Sequence, residues 1–190
     1  MPNKNEIKKA MKALKISPDI ISQINFDYDV NDYHSEPLFN IFTKMDELLT
    51  KEQRLAVMER QGCHKTGIMQ KQYKDFGIEH TDKPLEEKLR IMSKTPNLRT
   101  PILNEDGTLS TGDIAFFIDE NGVSHHPPCP PVARSKPQYI SPTYCGCCAG
   151  HIKYHWQNAL GIKLKLIAID KISRKNGKGY NFSAKFEIAN

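Results

Sequence analysis

The stretch Ile140-Ser-Pro-Thr-Tyr-Cys-Gly-Cys-Cys-Ala-Gly-His-Ile-Lys-Tyr-His-Trp-Gln-Asn-Ala-Leu-Gly161 holds three of the chain's five cysteines, two of its seven histidines and its only tryptophan. Its approach reads as a loop, because Pro137 and Pro142 disfavour helix around themselves and push their predecessors toward extended backbone. Beyond it, Ala149, Ile152, Trp156, Ala159 and Leu160 recur at three- and four-residue spacing, and Gly161 is a stop signal, so a helix is expected. On the 3.6-residue period, Cys148, His151 and His155 share one side of that helix, next to its apolar stripe. Cys145 and Cys147 are expected at or just before the first turn, where the helix dipole and unpaired backbone N–H groups favour thiolate. Thiolates there are nucleophiles or metal ligands. The plainer alternative is that the cysteines are small buried hydrophobes and the histidines are satisfied polar groups.

Downstream, Leu164-Lys-Leu-Ile-Ala-Ile-Asp-Lys-Ile172 reads as a strand, and Tyr180, Phe182, Ala184, Phe186 and Ile188 alternate along a second one. Asn176-Gly-Lys-Gly179 between them is a turn rather than a phosphate loop, since no helix follows it. The expectation is an antiparallel hairpin backed by the Trp156 helix.

Upstream, the period is helical. Residues 3–15 form an amphipathic segment with Ile7, Ala10, Met11 and Leu14 inward, and Ser17-Pro18 starts a second helix as N-cap and first-turn proline. Residues 25–36 read as a loop, 37–60 as two helices meeting near Thr50, and 68–76 and 84–94 as two more. Thr95 through Pro101 reads as a linker. From residue 102 short apolar runs alternate with Asp106-Gly107 and Asn121-Gly122, which are hairpin turn signals. The order of elements defines an α+β chain, with a helical region at 1–98 and a cysteine-bearing α+β region at 99–190 packed as one unit.

Two further sites carry reactive residues. Gly62-Cys63-His64 is either a tight connection where backbone and sulfur approach something closely, or a helix end with an incidental cysteine. His125-His126-Pro-Pro-Cys129-Pro-Pro131 is either a stiff arm delivering Cys129 to the Cys145–Cys148 cluster or a proline-rich crossing.

The composition, with 27 Lys+Arg against 22 Asp+Glu, leaves a net charge of +5 that no single block gathers, which argues against nucleic-acid binding. No apolar run approaches a membrane span, and the polar start lacks a signal core. Five unevenly spaced cysteines are no disulfide framework. A cytoplasmic location is the expectation.

The residues Tyr144-Cys145-Gly-Cys147-Cys148-Ala-Gly150, Trp156, Leu160-Gly161, Gly177 or Gly179, and Phe186-Glu-Ile188 resemble the C-terminal part of the 4-vinyl reductase domain group. Within it, the chain looks most like the L-2-amino-thiazoline-4-carboxylic acid hydrolase family. Cys129-Pro130 is similar to a Cys-Pro preceding the cluster in such proteins, and the likeness covers roughly 125–188. It implies an α+β domain of the kind found in nitric-oxide sensors and TRAPP components, with a small-molecule pocket, homodimeric packing and, in some relatives, metal on clustered cysteines. The likeness departs in the last strand, where Ser183-Ala184-Lys185-Phe186 stands in place of a Cys-x-Phe pattern.

Two functions follow as expectations. One is a small-molecule- or metal-binding domain, with zinc held by Cys129, Cys145 and Cys147, Cys148 being a further candidate ligand, and with His151 or His155 completing a tetrahedral set. The other is a hydrolase opening a cyclic amidine or thiazoline, with Cys145 or Cys147 as nucleophile and His151 or His155 as base, or with a metal activating water.

Overall fold

The computed structural model describes residues 3–26, 36–62, 65–112, 114–118, 124–125, 141–173 and 180–189. Among them, helices α1 (Lys4–Ala13), α2 (Pro18–Gln23), α3 (Glu36–Leu48), α4 (Lys51–Met58), α5 (Gly67–Glu79) and α6 (Leu85–Met92) precede strands β1 (Ile102–Leu103), β2 (Leu109–Ser110), β3 (Ile114–Ile118) and β4 (Ser124–His125). Helix α7 (Pro142–Leu160) and strands β5 (Lys163–Ser173) and β6 (Tyr180–Ala189) complete an α+β fold.

The helix starts follow local chemistry. The Asn3 side chain accepts from the Asn5 and Glu6 N–H groups, and Ser17 caps α2 ahead of Pro18. Thr50 and Gln53 form a reciprocal capping box at α4, fixing the break between α3 and α4. Ser141 caps α7 with Pro142 in its first turn. This corrects the expected loop before the cysteines: the Ser-Pro pair opens the helix, because a first-turn proline gives up an N–H that has no helical partner anyway.

Strand β6 is the spine of the sheet. It pairs with β5 along one edge, and with β2 and then β3 along the other, all antiparallel. Strands β1 and β4 extend β2 and β3. Thr111 ties the gap between β2 and β3 to the spine, its N–H donating to the Ala184 carbonyl while its hydroxyl accepts from the Ala184 N–H. A β-bulge between Leu166 and Ala168 changes the side-chain phase of β5. Leu164 and Leu166 are buried before it; after it Ile169, rather than Ala168, turns to α7 and faces Gly146.

Helix α7 is the centre of the molecule, packed against α3, α4 and α5 on one side and β5 and β6 on the other. Three glycines make the helix contacts close. A Cβ on Gly146 would stand 2.5 Å from Met58 Cβ, and one on Gly150 would run into the Gln61, Met58 and Glu59 carbonyls at the end of α4. A Cβ on Gly77 of α5 would strike the Asn158 carbonyl of α7. The C-terminus of α7 is closed by Gly161, at φ 70°, and by buried Lys88 of α6, whose ammonium donates to the Leu160 carbonyl at 3.0 Å.

One buried cluster runs from Ile7 and Met11 of α1 through Phe42, Met45 and Met58 to Trp156 and Phe186. The helical and sheet regions therefore share an interior, although the sequence divides near residue 98. Where that division falls, Arg99 donates its N–H to the Tyr73 hydroxyl and accepts at its carbonyl from Trp156 Nε1, each at 2.7–2.8 Å.

Candidate functional site: the histidine face of helix α7

Cys145 and Cys147 are the fourth and sixth residues of a regular helix, not its lead-in. Residues two apart in an α-helix point about 200° away from each other. On the helical period Cys145 lies on the stripe of Ile152 and Trp156, and Cys147 lies on the opposite side of the helix. They are 6% and 3% exposed. The pair cannot grip a single ion while the helix stands, which corrects the expectation that both converge on one centre. The dipole argument for thiolate weakens as well, because that field fades within the first turn. The first-turn amides are already engaged: Thr143 N–H donates to the Ser141 hydroxyl and Tyr144 N–H to the Ser141 carbonyl. Cys148 is half-buried. Cys63, His64, His126 and Cys129 lie outside the described residues, and so does the proposed Cys129 arm.

The histidines do come together. His151 and His155 sit on successive turns of α7, their rings edge to face with centroids 4.6 Å apart. His155 is 2% exposed and stacks on Tyr73 of α5 at 4.7 Å, with Tyr154 edge-on at 5.4 Å. Burial pushes the Tyr73 hydroxyl above its usual range, partly offset by the hydrogen bond from the Arg99 N–H and by the nearby Arg99 charge. Tyr73 therefore stays neutral and clamps the linker. The α5 side is fixed further by Gln70 Nε2, which donates to the Tyr154 hydroxyl at 2.6 Å.

A third element closes on the same place. Gly62, at φ +151°, lies so near α7 that a Cβ there would stand 3.0 Å from the His151 N and 3.1 Å from its Cα. Only glycine suits that backbone and that gap. The chain thus enters Cys63-His64 directly from a contact with His151. The close-approach reading of Gly62 holds for its backbone. Gln61, just before it, is 4% exposed.

Among the described residues no three His, Cys, Asp or Glu side chains stand together as a metal-binding group. The expected ligand set includes Cys129, which lies outside the described residues; His151 and His155 are the candidate ligands whose rings meet there. A recess of about 190 Å³ at the foot of α7 is lined by Lys51, Arg54, Thr143 and Ile169 among others. The Arg54 guanidinium there donates to the Asp46 and Leu49 carbonyls and stands 3.5 Å from the Asp46 carboxylate. Nothing local in the sequence marks Tyr73 as the partner of His155, whereas Gly62 announces the close approach beside His151.

The architecture defines an α+β class in which a central histidine-bearing helix is wedged between helices and an antiparallel sheet. Compared with family models, curated proteins and solved structures, the chain matches none. No helix among the described residues is long and apolar enough to cross a membrane.

Proposed function

We propose that the chain is a binding domain whose working face is the side of α7 bearing Cys148, His151 and His155, and that its first ligand is a zinc-class metal ion. The observation that supports this is the imidazole pair at i, i+4, with ring centroids 4.6 Å apart. Two histidines one turn apart on a helix can both reach one ion, at Zn–N distances of about 2.0–2.1 Å. Burial of His155 between Tyr73 and His151 fixes one ring before any ligand arrives, which lowers the ordering cost of binding. Cys148, half-buried and one turn before His151, is the cysteine nearest that pair along the helix.

Elemental analysis and zinc titration of the full chain test the reading. His151→Ala, at a half-buried position, is expected to weaken zinc binding by about tenfold or more without unfolding the protein. Zinc content below about a tenth of an equivalent in wild type, after loading, would sink the proposal.

A second reading is the hydrolytic opening of a cyclic amidine or thiazoline. It is favoured by Cys147 and His151, the one pair among the expected nucleophiles and bases spaced one helical turn apart. An activated Cys147 should be half-modified by a thiol reagent well below the pH of about 8.5 typical of a free thiol. Modification only at or above that pH removes this reading.

A further inference from the structure

The recess at the foot of α7 lies where α4, the first turn of α7 and β5 meet. Its apolar lining is Leu55, Met58, Pro142 and Ile169; its polar lining is Lys51, Arg54 and Thr143. Ile169 is there because the bulge turns it toward α7, where its Cδ1 would stand 3.2 Å from a Cβ on Gly146. The polar side is fixed from α3. Arg54 Nη1 donates to the Asp46 and Leu49 carbonyls at 3.0 and 2.8 Å, and the Thr143 hydroxyl donates to Asp46 Oδ1 at 2.5 Å. Those bonds use one terminal nitrogen of the guanidinium; Nη2 makes no hydrogen bond among the described residues. Lys51 is exposed and enters no salt bridge among them. The two nearby carboxylates are engaged, Asp46 by Thr143 and Arg54, and Glu52 by its own N–H and the Thr50 hydroxyl. Among the described residues no carboxylate lines the recess itself.

We propose that this recess is a binding site for a small organic monoanion, a carboxylate carried on one ring or a short branched chain. Size and lining set the class. An apolar cavity of about 150 Å³ holds one benzene. The recess, at about 190 Å³, takes a single ring with a carboxylate and little more. Its apolar walls cover the body of such a ligand, while Lys51 and the unengaged edge of Arg54 offer two cations to its charge. A dianion fits less well, since Arg54 already shares its charge with Asp46. Thr143 lies about two turns of α7 before His151 and three before His155, so the site stands apart from the metal reading.

Benzoate is the probe, titrated into the metal-free full chain with its methionine, leucine and isoleucine methyl groups labelled for NMR. Saturable shifts are expected at Leu55, Met58 and Ile169, because a ring current acts only on neighbouring atoms. Benzyl alcohol keeps the ring and loses the charge; acetate keeps the charge and loses the ring. Each should bind about tenfold more weakly than benzoate, or worse. Lys51→Glu should weaken benzoate by about tenfold through like-charge repulsion, while Lys51→Arg should stay within about threefold of wild type. Both variants keep the fold, since residue 51 is exposed and a carboxylate in the first turn of α4 suits the helix dipole. Benzoate shifts that never saturate, or that map to methyl groups elsewhere, overturn the site. Equal binding of benzyl alcohol, or unchanged benzoate affinity in Lys51→Glu, overturns the carboxylate class and the proposal with it.

Discussion

Trp156→Ala is expected to destabilise the fold by about 3–5 kcal/mol, a large part of the 5–15 kcal/mol that holds a typical domain together. The indole is fully buried where α7 meets the sheet, edge-on to Phe186 of β6 with centroids 5.5 Å apart. Truncation leaves a cavity with packed walls on both sides, since the helix is held from behind by α4 and α5 and cannot collapse onto β6. It also strips the Arg99 carbonyl of the donor that reaches it at 2.8 Å. Trp156→Phe separates the two losses: most of the volume stays and the N–H goes, so the cost should be smaller. Urea unfolding of the three proteins measures both. If the alanine variant melts within about two degrees of wild type, the helix does not carry the load described.

The second large effect is of opposite sign to simple expectation. Gly150→Ala in mid-helix would ordinarily stabilise by about 1 kcal/mol through helix propensity. Here the added methyl meets the Gln61 carbonyl, the Met58 carbonyl at 2.9 Å and the Glu59 carbonyl at 3.0 Å. These are backbone atoms, and no rotamer change moves them. The end of α4 must shift away from α7, at a cost of about 1–3 kcal/mol for overpacking. The shift also carries Gln61 and Gly62 away from His151, so zinc affinity should fall along with the melting temperature. A rise in melting temperature would show that the α4–α7 contact is looser than described.

Much of this fold is legible in the sequence because its signals are local. Asn3, Ser17-Pro18 and Thr50 mark helix starts that the structure keeps, and the alternation of Phe182, Ala184 and Phe186 is the buried face of β6. Ser141-Pro142 carries the same chemistry as Ser17-Pro18, yet Pro137 and the dense run of cysteines suggest a loop. That early start is what throws Cys145 and Cys147 to different sides of α7. The glycines at 146 and 150 weaken a helix when read in sequence, and only the approach of α4 gives their four-residue spacing a purpose. The bulge in β5 hides in an unbroken apolar run, Leu166-Ile-Ala-Ile169, where nothing marks the change of face. Cys148, His151 and His155 on one side of a helix were readable from spacing alone. The neighbours of that side, Tyr73 against His155 and Gly62 against the His151 backbone, come from distant parts of the sequence, and no periodicity links them.

The backbone of Arg99 is fastened on both sides of its Cα, to a tyrosine of α5 through its N–H and to the α7 indole through its carbonyl. The proline-flanked connection at 95–101 is thus a rivet rather than a hinge. Severing the chain there would not release two working modules: residues 1–98 would lose the helix that fills their groove, and residues 99–190 would bare one flank of that helix to water. What composition divides, the interior makes inseparable.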